Sequence, residues 1–495
     1  MATTTHSPRL RRLSSATLRR TVVLGVAVAL LGEALLALAI VHPRLTVLLV
    51  APAAIAVLGL FLRLPLLSVA SLLILTDSAF HESFFSIEAG ALSIRLHELV
   101  LLGVLFVALV RPRRATWGGT AGGALAIFLG LLALSAALAF SVGRVELTDA
   151  VNWGRPFVLL LLFFAVVRLF PDATSAHRVL VTAAVIGSLT GVVALVAALN
   201  PGVGELLQDP GQQFVRSQEG LGLISRVRLP GLALAYGLFW FTIVQVGRAH
   251  GARRLLWAAV LAGQAVNIAV SFNRNMWVGL FIGLVLTLAI SRGQVRYTVA
   301  RGLAVGLAGL ALMVLLAPHA PPGSPVTPLV DRAATLGDLQ AVGESSSAND
   351  RRYEVERGWD AAVSHPVLGV GVGAAYGAHV ADFTVQDRYV RLPRRFLHNQ
   401  YLYLVLVAGV PGLVAFLAFL GSTLQRAWRR RERDPRVAAC GVGLATIMLS
   451  AVVMLYFSVP DMTAAIGIIS GAIVASTTGA GRELSLDPHA SPGPG

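Results

Sequence analysis

RRFLHNQYLYLVLVAGVPGLVAFL, Arg394 to Leu417, sets arginines and a His-Asn pair directly against the start of a long apolar run. A charged, hydrogen-bonding cluster at the mouth of a membrane span is costly to keep there unless it is used. Further along, Gly409, Pro411 and Gly412 interrupt the run, and ahead of it lies the only long polar segment of the chain. The stretch reads as a membrane helix whose mouth carries chemistry.

The rest of the chain agrees. Of 495 residues, 56% are hydrophobic and only 13% charged, and the mean hydropathy is +0.75, too apolar for a soluble chain of this length. Apolar runs of about 16 to 25 residues recur along it, each long enough to cross a ~30 Å hydrocarbon core. The expected fold is all-α: a polytopic integral membrane helical bundle of 12 to 14 spans. The candidate spans lie near 21–41, 45–62, 64–79, 97–110, 119–140, 154–169, 178–199, 229–247, 255–271, 275–291, 302–317, 399–425, 437–457 and 461–478. The third and fourth give the weakest signal. This divides the chain into a basic tail (1–20), a transmembrane bundle (21–317), a large external loop containing short helices (318–397), C-terminal spans (398–478) and a second tail (479–495).

A net charge of +15 could suggest nucleic acid, but the placement of the charge argues for a membrane. All 40 basic residues are arginine. They gather before and between spans, at Arg9 to Arg20, at Arg111 to Arg114, at Arg248 to Arg254 and at Arg426 to Arg436, whereas most acids fall in the alternate segments. This positive-inside pattern places both termini in the cytoplasm and the long loop outside. No basic, aromatic-interleaved soluble region exists to bind nucleic acid. Glu33 interrupts the first apolar run and another span follows at once, which favours a retained first span over a cleaved signal peptide. The single cysteine, Cys440, sits at the start of a span and supports neither a disulfide framework nor a thiolate metal site.

The loop opens on a linker-like PHAPPGSPVTP (318–328), and its middle is more ordered in pattern. Asn349 to Ser364 suits an amphipathic helix, capped by Asn349 or Asp350, with Val355, Trp359, Ala362 and Val363 forming an apolar stripe. His365-Pro366 stops it. LGVGVG, Leu368 to Gly373, follows; its glycines permit close backbone approach, but it lacks the strand-then-helix setting of a nucleotide fold.

External arginines are the anomaly. Arg388, Arg391, Arg394 and Arg395 precede the His398 span, and Arg226 and Arg228 precede another. Guanidinium groups grip phosphate oxygens bidentately, so a convergent set would suit a lipid diphosphate. Alternatively they pair with loop acids such as Glu354, Asp382 and Asp387, or reach for headgroups. Gln264, Asn267, Ser271 and Arg274 are spaced three, four and three residues apart, on one helix face. Such a stripe faces either a cavity, with Asn399 nearby, or a neighbouring helix through hydrogen bonds. His398 exchanges protons near neutrality and is the natural acid/base candidate, or else an ordinary helix-end residue. Asn399 is also a potential helix cap, and Tyr401 and Tyr403 fit an interfacial aromatic belt. Asp77, His81, Glu82 and Glu98 could supply a carboxylate. Glu354 and Glu356 on a helix would point apart, and nothing demands a metal or cofactor.

HPVLGVGVG (365–373), followed by LHNQYLYLVLVAGVPGLVAF (397–416), resembles the O-antigen ligase and polymerase family over roughly residues 200–425. The resemblance implies a glycosyltransferase of the bacterial cytoplasmic membrane, working in cell-surface polysaccharide synthesis with its active site outside. It would move a glycan from a polyprenyl-diphosphate donor to a hydroxyl of a glycan, lipid or wall acceptor, inverting the anomeric centre without a metal. It also implies roles for single residues. His398 matches the histidine of the family's His-Asn motif, and Arg274 in SFNRNMW matches an arginine after a polar span, although Asn273 and Asn275 stand where serine and glycine are usual. Arg228 in RLPG matches an external arginine, with Arg226 and Arg216 as neighbours in contention. Arg351 resembles another recurrent arginine, and Arg395 would assist at the diphosphate. The competing class is a flippase for lipid-linked oligosaccharides, which would use the same arginines but has no clear use for so long an external loop.

Overall fold

The computed structural model describes residues 55–76, 86–89, 92–111, 117–200, 231–271, 273–316, 346–377, 380–385, 388–392, 395–454 and 456–478. The predicted span 21–41, the start of span 45–62, both tails, the front of the loop and Arg216, Arg226 and Arg228 lie outside them. The chain divides into a first unit, residues 1–64, and a second, residues 65–495. In the first unit a helix, α1, covers Ile55–Arg63.

The second unit is mostly helical. Its helices are α2 (Pro65–Thr76), α3 (Leu96–Val110), α4 (Gly119–Ser141), α5 (Leu147–Val158), α6 (Leu162–Leu169), α7 (Ala173–Leu199), α8 (Leu232–Arg248) and α9 (Ala252–Val270). There follow α10 (Arg274–Ile290), α11 (Gly293–Leu316), α12 (Ser346–Ser364), α13 (Gln400–Arg429), α14 (Pro435–Ser450) and α15 (Pro460–Thr478). Each predicted span from residue 64 onward contains a helix. Among the described residues, five segments are long and apolar enough to cross a membrane: Gly119–Ser141, Leu147–Leu169, Ala173–Leu199, Gln400–Arg429 and Pro460–Thr478. α3, α8, α14 and the residues of α10 after Arg274 form shorter apolar helices.

Two antiparallel hairpins were not anticipated by the all-helical reading. β1 (Ser86–Ala89) pairs with β2 (Leu92–Arg95). Within the long loop, β3 (Val380–Val385) pairs with β4 (Arg388–Leu392), with a register break between Ala381 and Phe383. The loop therefore holds strands as well as a helix. Its alternation of apolar and polar residues, VADFTV against RYVRL, is the period of a strand.

α15 is the centre of the bundle, buried from Asp461 to Ser476 and packed on α6, α7 and α8. Small residues let the neighbouring backbones close in. A Cβ on Gly443 of α14 would lie 1.8 Å from the Gly237 carbonyl of α8, and one on Gly191 of α7 would lie 1.9 Å from the Gly263 carbonyl of α9. This is how membrane helices gain van der Waals contact without a hydrophobic driving force between them.

α13 is where the two sequence motifs meet. Its helical path breaks at Gly409, whose φ of 71° and ψ of 178° suit glycine, two residues before Pro411, which carries no amide hydrogen. At the break, the i→i−4 bond between Val410 N–H and the Leu406 carbonyl is exchanged for bonds to another segment. Val410 N–H donates to the Pro366 carbonyl (2.8 Å), and the Leu406 carbonyl accepts from Val370 N–H (2.7 Å) and Gly371 N–H (3.3 Å). Ser135 Oγ of α4 donates to the Leu368 carbonyl (2.6 Å). HPVLGVGVG thus serves as the hydrogen-bonding complement of AGVPG, which keeps irregular backbone satisfied inside a membrane bundle. A Cβ at Gly409 would sit 2.0 Å from the Val367 carbonyl.

Candidate active site

The start of α13 is pinned from several directions. Gln400 N–H donates to the Ala451 carbonyl (3.0 Å), its side-chain amide donates to the Leu397 carbonyl (2.8 Å), and its Oε1 accepts from Phe457 N–H (2.9 Å). Tyr401 Oη donates to the Met448 carbonyl (2.7 Å). Asn399 is the N-cap, its Oδ1 accepting from Leu402 N–H (3.1 Å). The capping role raised for Asn399 is thus the one its geometry displays. Tyr403 is not an interfacial belt residue: it is buried, with its ring stacked on Phe157.

On this platform sits His398. Glu354 of α12 reaches it with one carboxylate oxygen: Oε2 accepts from His398 N–H at 3.2 Å and meets His398 Nδ1 at 2.8 Å. The Glu354 side chain is 3% exposed and that of His398 29%. A carboxylate in its ionised form only accepts, and that pairing puts the hydrogen on Nδ1 and leaves Nε2 as the nitrogen able to take a proton. A buried acid that holds an imidazole in one orientation is an arrangement able to support general-base chemistry. The Phe396 ring lies edge-on to the imidazole at 5.7 Å, stacked on Trp153 of α5 at 6.3 Å. The Tyr376 hydroxyl donates to the Phe396 carbonyl (2.7 Å).

Sequence reasoning named Glu354 only as a salt-bridge partner for loop arginines and found no mechanism in its spacing from Glu356. Its partner is 44 residues away. Of the expected apolar stripe of α12, Ala362 is buried and Val355, Trp359 and Val363 are exposed, while Glu354 is buried on the side packed against α13. α12 also begins at Ser346, so the expected caps Asn349 and Asp350 fall inside it.

The arginines divide. Arg395 Nη1 donates to Asp149 Oδ1 of α5 at 2.5 Å, which makes it at least partly a structural ion pair. Arg351 lies one turn before Glu354 on the same face of α12. The Nε atoms of both Arg351 and Arg395 are buried with no hydrogen-bond partner among the described residues. Arg274 is the first residue of α10; its guanidinium, like all of Arg228, lies outside what the structure describes. Arg155 went unremarked in the sequence; it is 8% exposed and bridges to Glu98 at 3.0 Å, which occupies one carboxylate offered as a spare acid.

The polar stripe of α9 is packed rather than open. Gln264, Asn267 and Ser271 are fully buried. Gln264 Nε2 donates to the Ala184 carbonyl (3.2 Å), Asn267 Nδ2 donates to Thr190 Oγ1 (3.2 Å), and Ser271 Oγ donates to the Ile268 carbonyl (2.7 Å). Of the two readings, a cavity wall and an interhelical seam against α7, the observed bonds of Gln264 and Asn267 are those of the seam. Gln264 Oε1 and Asn267 Oδ1 are buried without a partner. Among the described residues, no three His, Cys, Asp or Glu side chains converge as a metal site would require.

Residues 257–417 match the family model described as O-antigen ligase, a segment that runs from α9 to the break in α13 and contains Arg274, Arg351, Glu354, Arg395 and His398. The match agrees with the family read from the two motifs and supports a membrane ligase- or polymerase-type, glycosyl-transferring role. No curated protein matches the chain.

Proposed function

We propose that the protein transfers a glycan from a polyprenyl-diphosphate carrier to an acceptor hydroxyl at the outer face of the bacterial cytoplasmic membrane, both chain termini being cytoplasmic. The observation that carries this is the Glu354–His398 contact at 2.8 Å, a buried acid holding a partly exposed imidazole at the mouth of a span.

In the proposed step, His398 Nε2 takes the proton of the acceptor hydroxyl as that oxygen bonds to the anomeric carbon of the donor sugar. The bond from that carbon to the diphosphate oxygen breaks, and polyprenyl diphosphate leaves with the electron pair. One displacement at one carbon inverts it. Glu354 faces the imidazolium that forms and stabilises it without taking the proton. Charge developing on the diphosphate is met by guanidinium groups. Arg351 is the favoured candidate within the loop because its Nε is buried and unpartnered. Arg395 contributes less, one of its nitrogens being held by Asp149, and Arg228 and Arg274 complete the clamp. Fixed cations acting in this way take the place of a metal.

The test is transfer by purified protein in liposomes containing a polyprenyl-diphosphate oligosaccharide, with chelator present. Donor consumed into product by wild type, and left intact by His398→Ala, is the expected result. Donor moved across the bilayer without any product would support a flippase instead.

A further inference from the structure

We infer that α12, assigned by sequence to the external loop, enters the membrane beside α13, and that its stripe Val355, Trp359, Val363 and Val367 lies against lipid hydrocarbon. This goes beyond the transfer reaction and rests on α13 being a membrane span, not on the chemistry at His398.

Glu354 touches His398, 44 residues on. One turn later, a Cβ on Gly358 would meet the side chains of Leu397 and Leu402. Past the end of α12, the Pro366 carbonyl accepts from Val410 N–H, again an offset of 44. Glu354 with His398, Gly358 with Leu402 and Pro366 with Val410 advance together along both segments, so the two helices run parallel. α12 therefore descends alongside α13, by about 15 Å from Glu354 to Ser364 at 1.5 Å per residue. Whatever surface of the membrane α13 enters, α12 enters with it.

Composition follows that descent. Charge on α12 runs as far as Asp360 and no further; before it, Arg352 Nε pairs with Glu356 at 3.0 Å and the Arg357 guanidinium lies over the Tyr353 ring. From Ala361 to Gly373 there is no Asp, Glu or Arg. The polar groups at the deep end bond back to their own helix: Ser364 Oγ donates to the Asp360 carbonyl (2.8 Å), and His365 Nδ1 lies 3.3 Å from the Ala361 carbonyl. Beyond it, the Pro366 and Leu368 carbonyls are satisfied by α13 and α4. This is the satisfaction that a lipid surrounding demands and water does not.

The outward face completes the picture. Trp359, Val363 and Val367 are 61%, 61% and 65% exposed. Val367 abuts Gly409, and the next residue of α13 is Val410, which with Val414 and Leu417 forms an exposed strip of the span itself. The apolar stripe of α12 is thus continuous with a surface that faces lipid. Trp359 stands near its upper, charged end, where an amphipathic ring suits the headgroup boundary.

The experiment is site-directed spin labelling of the full chain in proteoliposomes. The one native thiol, Cys440, is fully buried and is replaced as Cys440→Ala; single cysteines are then placed at 352, 359, 363 and 367. Collision rates are measured with oxygen, which concentrates in hydrocarbon, and with a water-soluble nickel chelate. The expected oxygen-to-nickel ratio is several-fold higher at 363 and 367 than at 352, with 359 between. A ratio at 363 and 367 equal to that at 352, with nickel dominant, overturns the proposal by placing the stripe in water. Low collision with both reagents overturns it in favour of a protein partner or a second copy. Should the cysteine variants not fold, quenching by brominated lipid in wild-type protein, minus that in Trp359→Phe, reads the same face. A positive difference supports lipid contact and no difference contradicts it.

Discussion

A histidine at the end of a helix is chemically unremarked until something fixes which nitrogen holds its proton, and Glu354 does this for His398. His398→Ala removes the base and is expected to lower kcat by about 10²–10⁴-fold. Glu354→Gln keeps an acceptor for Nδ1 but loses the charge facing the imidazolium, so a smaller loss in kcat with little change in donor KM is expected. A KM effect alone would make Glu354 a binding residue. Arg351→Gln is predicted to act in the opposite way, raising donor KM at nearly unchanged folding stability. At the Arg395–Asp149 pair, Arg395→Met and Asp149→Asn should each cost about 1.5–3 kcal/mol of stability, and the double variant should cost little more than either single one, as a denaturation cycle would reveal. Half of the candidate site was legible in the sequence: His398 stood out because a titratable group at a span mouth is expensive, whereas Glu354 was hidden because its contact spans 44 residues.

At the scale of the element, the apolar stripe of α12 was legible but not what it faces: Val355, Trp359 and Val363 are exposed, and the side packed on α13 carries Glu354, Gly358 and Ala362. The break in α13 was legible, since Gly-Val-Pro-Gly cannot continue a helix unaided. What could not be read was that LGVGVG supplies the missing hydrogen bonds, because nothing local to either motif names the other. Gly409→Ala is predicted to be severe. The backbone angles alone cost about 1–3 kcal/mol, and the new methyl collides with the Val367 carbonyl. Gly421→Ala, in the same helix with nothing within 4 Å of the added carbon, is the matched control and should be neutral or stabilising by up to ~1 kcal/mol. Thermal unfolding of the two purified variants in detergent decides the matter; equal midpoints would mean that the motif pairing contributes no stability.

For the molecule as a whole, hydropathy located the helices from residue 64 onward, because it depends on runs of residues rather than on contacts. The packing order was not legible. Burial of α15 from end to end and the Gly237–Gly443 and Gly191–Gly263 approaches arise from small residues whose neighbours are distant in sequence. The resulting bundle brings His398, just before α13, against Glu354 of α12. The most direct measurement of the central claim is transfer of a polyprenyl-diphosphate oligosaccharide by the purified protein in liposomes, comparing wild type with His398→Ala and Glu354→Gln and resolving products by size. The account predicts product with wild type, reduced turnover with Glu354→Gln and none with His398→Ala, a ladder marking a polymerase and a single shift on a supplied acceptor a ligase. Transfer by His398→Ala at the wild-type rate would contradict it.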